Sequence, residues 1–382
     1  MKEYRNVFAE VGISQEDIDK RLKEVINTFF FDEEDKVYHF DGDMGYLEDT
    51  GNHDARTEGM SYGMMMCLQL DMKEDFDRIW KWSKTNMFLT EGVNEGYFAW
   101  SCNVDGSKNS EGPAPDGEEF YAMALIFASH RWGDGEGIFN YSKEAKDILR
   151  ACIHKGENGR AGHSMWNRDN HQILFVPGCP FTDPSYHLPH FYELFAENCY
   201  EEDKEFWLKA VKASRDYLAI ACHKDTGMSA EYAEFDGTPV HTQFEWGRHD
   251  YFYSDAYRTV ANIGLDYEWC KVDVGQRQAA EKLQYYFAVT RKDEEFMTYE
   301  IDGTLVDQPA LHPVGLLATI AQGTLAIPEK LDGDNLSETA QIAKNWVLRF
   351  WNEPMRKGDR RYYDNCLYMF AFLALSGNYR IY

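Results

Sequence analysis

Two kinds of helical segment alternate along this chain, and that alternation is what most narrows its fold. Segments of the first kind are apolar along most of their length: MSYGMMMCL at 60–68, EEFYAMALIFA at 118–128, PHFYELFA at 189–196, HPVGLLATIA at 312–321 and YYDNCLYMFAFLAL at 362–375. Segments of the second kind, such as WLKAVKASRDYLAI at 207–220 and RQAAEKLQYYFAV at 277–289, carry one charged face. A helix that is apolar all round must be buried, whereas an amphipathic one lies at the surface with one face inward. The helical period runs from Ser14, a cap-like residue followed three positions on by an acid, and recurs over 56–70, 73–87, 116–131, 142–153, 184–199, 203–222, 254–269, 274–290, 311–326, 335–352 and 361–375. Every second segment is the apolar kind. The expectation is an all-α toroid of six inner and six outer helices, occupying 1–382 as one domain, since no Pro/Gly/Ser-rich linker divides it.

Alternating in-and-out connectivity brings all six inner N-termini to one end. Glu58, Asp116, Asp183 with Tyr186, Asp255, His312, and Arg361 with Tyr362 stand at or just before those starts. A single acid there is an ordinary cap, because helix starts present free N–H groups and a positive partial charge. Four acids on alternate helices, each near Trp, Tyr, His or Arg, are more than capping requires and point to a site.

Composition says what the site does not bind. A formal net charge of −26 repels nucleic acid and anionic membranes, and no run of apolar residues is long enough to span a bilayer. Aromatic residues make up 15% of the chain, with 24 Tyr and 10 Trp. That is more amphipathic ring than a core needs, and it suits a groove that stacks flat, hydroxyl-rich ligands. None of the eight cysteines forms a C-x-x-C pair, and the N-terminal stretch lacks the apolar core of a signal peptide, so reduced thiols and a cytoplasmic location are expected. No Walker loop, G-x-S-x-G or dinucleotide fingerprint appears, and no cofactor is expected. His187, His190 and Glu193 are spaced loosely like metal ligands, but Pro189 interrupts them and no metal is expected there.

Two carboxylates in an aromatic groove are the equipment of glycoside hydrolysis, one protonated to donate and one ionised. Glu58 sits among Gly59, Met60, Tyr62, Gly63 and Met64, surroundings that raise a carboxyl pKa by desolvation. Asp255 has Arg258 one helical turn on, a cation that favours its ionised form. Trp100, Trp166, Tyr362 and Tyr363 are candidates for stacking on sugar rings, with the core as the alternative for each.

The segments TEGMSYGMMM around Glu58, PAPDGEEFYA around Asp116, DPSYHLPHFYELF from 183 and SDAYR around Asp255 resemble the signature segments of glycoside hydrolase family 8, in the family's order. GYFAWSC, MWNRDN, ALHPVGLLAT and RRYYDNCLYMFAFLALSGN extend the resemblance to nearly the whole chain. The resemblance implies an (α/α)6 barrel and inversion at the anomeric carbon. It implies Glu58 as general acid, Asp255 as general base, Asp116 as the acid that holds the sugar at the cleavage point, and Tyr186 beside the nucleophilic water. Within the family the match is closest to enzymes that release xylose from the reducing end of β-1,4-xylo-oligosaccharides, where the LHPVG histidine, here His312, meets the free anomeric hydroxyl. The expected partner is therefore a xylo-oligosaccharide. The alternatives are an endo-acting xylanase, cellulase or chitosanase of the same family, or a non-hydrolytic carbohydrate-binding α/α protein.

Overall fold

Ser14 opens the first long helix as its spacing predicts: its Oγ accepts from the Asp17 N–H at 3.1 Å and caps Gln15–Ile26. The computed structural model describes residues 3–291 and 295–382. Among these, the inner helices are Thr57–Gln69, Pro115–Trp132, Pro189–Asn198, Arg258–Cys270, Pro313–Gln322 and Arg361–Leu375. Each packs against the next, and Arg361–Leu375 packs back against Thr57–Gln69, so the ring closes. The outer helices are Gln15–Ile26, Lys73–Trp82, Tyr141–His154, Lys204–Ala221, Arg277–Tyr285 and Glu338–Asn352. Every outer helix lies against an inner one, with Gln15–Ile26 seated on Arg361–Leu375. The architecture is an (α/α)6 barrel.

Burial follows the two sequence patterns. Residues 362–375 are buried without a break in the last inner helix, whereas Gln15–Ile26 buries only Ile18 and Val25. The methionine run Met64, Met65 and Met66 is wholly inside, where flexible thioethers fill the space between tightly packed helices.

Several of the expected helices are broken or re-bounded. The 184–199 segment divides into a tight turn at Pro184–Tyr186 and the helix Pro189–Asn198. Pro189 has no N–H to continue the first turn, and it disfavours the helical conformation at the residue before it. The 254–269 segment begins as a 3-10 turn, Ser254–Tyr257, before the α-helix starts at Arg258. Lys73–Trp82 and Arg277–Tyr285 end in widened π turns, Ser83–Met87 and Tyr286–Thr290.

Short strands, absent from the helical reading, brace the N-terminal end of the inner ring. Asp54–Arg56 pairs antiparallel with Ser101–Asn103, Arg56 opposite Ser101. The Thr57 N–H bonds the Trp100 carbonyl at 2.9 Å, so this ribbon fixes Glu58 relative to Trp100. A three-stranded sheet joins Tyr251–Phe252, Met297–Glu300 and Leu305–Pro309. Its first strand delivers Asp255 and its last delivers His312.

Candidate active site

The inner N-termini surround a cleft of about 650 Å³. Glu58, Asp116, Asp255, Tyr186, His312, Trp100, Tyr362 and Tyr363 all line it, joined by Arg56, Tyr232, Trp246, Leu311 and Arg360 among others. Residues scattered over 300 positions of sequence thus meet because in-and-out connectivity repeats one end of each inner helix.

Arg258 is the centre of the floor. The i, i+3 spacing predicts it beside Asp255, and the two do approach to 3.6 Å. Its shorter contacts are elsewhere. Nη1 donates to Glu58 Oε2 at 3.1 Å, to Asp116 Oδ2 at 3.0 Å and to the Tyr62 hydroxyl at 2.7 Å. The guanidinium also lies between the rings of Tyr186 and Tyr363, 5.4 and 5.9 Å from their centroids. A planar fork with five donors can hold several carboxylates at fixed angles, which a lysine cannot.

The acids around Arg258 differ in access to water: the side chain of Asp116 is 8% exposed, that of Glu58 15% and that of Asp255 31%. Burial raises the Glu58 carboxyl to about 8; Arg258 opposes this, and the negative charges of Asp116 and Asp255 add to it. Burial also raises Asp116, against the pull of Arg258 and of the Gly117 N–H bonded to its Oδ1. Desolvation at Glu58 therefore outweighs the pull of the cation. Tyr362 completes this environment by donating its hydroxyl to Glu58 Oε1 at 2.9 Å. Glu58 and Asp255 contact different nitrogens of one guanidinium, Nη1 at 3.1 Å and Nη2 at 3.6 Å.

Asp255 is held by a device with no obvious sequence signal. Its N–H bonds Glu231 Oε1 at 3.3 Å, and the other Glu231 oxygen bonds His249 Nδ1 at 2.8 Å. Ser254, immediately before Asp255, has φ of 35°, a strained value for a residue with a Cβ. Burial raises the Glu231 carboxyl to about 7. Glu231 stands 24 positions before Asp255, and no spacing in the sequence marks it.

Two of the aromatic expectations need correction. Trp166 does not line the cleft. It is 1% exposed, with its ring edge-on to Trp207 at 5.0 Å and Tyr192 at 5.7 Å, so it belongs to the core between an inner and an outer helix. Tyr362 borders the cleft but is buried, and its hydroxyl serves Glu58. Trp100 does keep an open ring, 38% exposed, with the Arg56 guanidinium 5.3 Å from its centroid. Trp246 is a second exposed ring on the cleft, stacked on Phe244 at 4.9 Å; a tryptophan in the loop just before Asp255 was the available clue.

Arg361 turns out to be structural, whereas Asp183 also joins the carboxylates around Arg258, its Oδ2 lying 3.9 Å from Nη2. Asp183 Oδ1 caps the following turn through the Ser185 N–H at 2.7 Å, and Arg361 binds the carbonyls of Asp35 and Lys36. His187 is bonded to Thr182 and Ser214 at 3.0 and 2.9 Å, and Glu193 is paired with Arg215. Burial pushes both His187 and His190 down to about 3.

An (α/α)6 barrel with carboxylates converging across an aromatic-walled cleft is the architecture of a glycoside hydrolase. The model of the glycosyl hydrolases family 8 matches residues 38–376, and the chain belongs to that family. It is 55% identical over 383 residues to a reducing end xylose-releasing exo-oligoxylanase of Halalkalibacterium halodurans, covering 100% of this chain and 95% of that protein. It is 51% identical over 381 residues to a reducing-end xylose-releasing exo-oligoxylanase of Paenibacillus barcinonensis, covering 99% and 97%. A solved structure of the Paenibacillus barcinonensis protein complexed with xylose superposes with a TM-score of 0.93 at 50% identity, over 100% of this chain and 98% of that one. Among the described residues no helix is long and apolar enough to cross a membrane.

Proposed function

We propose that this glycoside hydrolase releases xylose from the reducing end of β-1,4-xylo-oligosaccharides, with inversion, and that Glu58 and Asp255 carry the proton transfers. The observation that carries the reading is the pairing of Glu58 and Asp255 through one guanidinium on the floor of a cleft that His312 also lines. The names of the relatives supply the sugar and the end of the chain.

The roles follow from the environments. Glu58, raised to about 8, holds its proton at neutral pH and gives it to the glycosidic oxygen as the bond to the anomeric carbon breaks. Asp255 has the carboxylate most open to water. It takes a proton from the water that attacks the opposite face of that carbon. Glu58 ends ionised and Asp255 protonated, and exchange with solvent restores both. Asp116, bonded to Arg258, holds hydroxyls of the sugar at the cleavage point, and Tyr186 stands over the guanidinium where the attacking water enters. Trp100 and Trp246 offer ring surface to the sugars, while Tyr363, buried like Tyr362, packs against Arg258 and His312. His312 reads the free anomeric hydroxyl, and an unfilled partner there costs more than a lost apolar contact. A cytoplasmic location is part of the proposal, supported by eight free thiols.

Initial rates on xylotriose and its alditol test the reading. Xylotriose gives xylose and xylobiose, and the alditol is cut at least tenfold more slowly. Equal rates would transfer the protein to the endo-acting reading.

A further inference from the structure

We infer that Asp364 is a positioning residue that fixes the tautomer of His312 and thereby sets the preference for a free reducing end. The inference rests on the proposed reading of His312 and deepens it.

Asp364 lies on the last inner helix and is fully buried. Its Oδ2 meets His312 Nδ1 at 2.9 Å and accepts from Arg356 Nη1 at 2.5 Å, while its Oδ1 accepts from the Gly315 N–H at 2.8 Å. Both oxygens face protein donors, so the group acts as a carboxylate with no hydrogen to give. The hydrogen between it and His312 must therefore sit on Nδ1. In the neutral ring, Nε2 is then an acceptor only. Nε2 has no hydrogen-bond partner among the described residues, and the ring lines the cleft. Tyr363 packs edge-on against it at 4.7 Å and limits its rotation.

An acceptor reads something that a donor cannot. A free anomeric hydroxyl has a hydrogen to give to Nε2. A glycosidic oxygen, where the chain continues, has none, and would leave a nitrogen lone pair facing an oxygen lone pair. The reversed tautomer, with the hydrogen on Nε2, would donate to either oxygen and lose the distinction. The proton position on the ring thus separates exo from endo action without any change in shape. Arg356 secures the same wall. Its Nη1 also donates to the Leu311 carbonyl at 2.7 Å, and Asn365 clasps its main chain through bonds of 2.9 and 3.0 Å. Two adjacent residues of one helix, Asp364 and Asn365, therefore hold the histidine and the main chain of Arg356, whose side chain in turn braces the Leu311 carbonyl before it.

The test compares xylotriose, its methyl β-glycoside and its 1,5-anhydro analogue, which lacks the anomeric hydroxyl. Nitrogen-15 NMR on the histidines gives the tautomer in the wild type, with no substitution needed. The expected result is Nδ1 protonated in neutral His312, with both analogues cut at least tenfold more slowly than xylotriose. In Asp364→Asn the side-chain amide can donate to Nδ1, the hydrogen moves to Nε2, and the methyl glycoside gains at least tenfold relative to the anhydro analogue. Arg356→Met keeps the Asp364 acceptor and raises KM, with the ratio between the two analogues as in wild type. The same gain of the methyl glycoside in Arg356→Met as well would mean that packing sets the selectivity, and would overturn the inference. A wild type that discriminates among the three but protonates Nε2 overturns this inference alone; a wild type that cuts all three equally overturns the reading of His312 with it.

Discussion

At the scale of single residues, the chemistry depends on keeping a proton on Glu58. Its carboxyl is raised to about 8 because burial disfavours the anion more than Arg258 favours it. An acid catalyst is active in its protonated form, so kcat/KM falls as pH rises through about 8. Glu58→Gln removes that basic limb and lowers kcat by roughly 10²–10⁴-fold; pH profiles of the two proteins check both effects. Arg258 lowers the Glu58 pKa while holding Asp116 in place. Arg258→Met therefore moves the basic limb to higher pH and lowers kcat by roughly 10²-fold, the scale of a lost preorganised donor. A basic limb unmoved in that variant would show that the titrating group is not Glu58. Much of this was legible in sequence. The apolar neighbours of Glu58 announced the direction of its shift, and the spacing of Asp255 and Arg258 announced their contact. The wider reach of Arg258 was not legible, because its partners lie about 140 and 200 positions away and only the closed ring brings them together.

At the scale of elements, the inner helices were readable because nothing but burial explains fourteen residues in a row without a solvated face, as in 362–375. The breaks at Pro189 and Ser254 were harder. Tertiary contacts decide whether an N-terminal turn stays α or tightens, and the 254–257 turn answers to Glu231, a residue in another loop. The strands went unseen because each is only two to five residues long and none alternates clearly. Trp166 and Tyr362 show the limit for aromatics: a ring at the right end of a barrel can face the cleft, the core or a catalytic carboxyl, and composition does not separate these. The glycine after Glu58 does have a definite reason. A Cβ at Gly59 would collide with the hydroxyl and ring of Tyr362, the same hydroxyl that bonds Glu58. Gly59→Ala therefore displaces Tyr362, lowers kcat by about tenfold or more, and costs about 1–3 kcal/mol by overpacking. Thermal denaturation and kinetics together check it; an unchanged kcat would mean that the Tyr362 hydroxyl is not needed.

At the scale of the whole molecule, the buried carboxyls set how stability depends on pH. Burial raises Glu58 and Glu118 to about 8 and Glu231 to about 7, from an ordinary 4.5. The folded protein then holds more protons than the unfolded chain between those limits, so stability is greatest on the acid side and falls as pH rises through 7 and 8. The melting temperature at pH 9 is expected below that at pH 6. Glu118→Gln should flatten this fall at constant salt, since Glu118 lies outside the cleft with its Oε1 bonded to the Phe98 N–H at 3.0 Å. An equally steep fall in the variant would assign the effect to general repulsion in a chain of net charge −26. The central claim is that one cleft, with Glu58 as acid and Asp255 as base, cuts one sugar from the reducing end with inversion. Proton NMR during the first turnovers on xylotriose carrying carbon-13 in its reducing-end ring tests end and stereochemistry together. All of the label is expected in free xylose, with the α anomer at the new reducing end of unlabelled xylobiose; labelled xylobiose, or a β anomer formed first, would contradict this assignment.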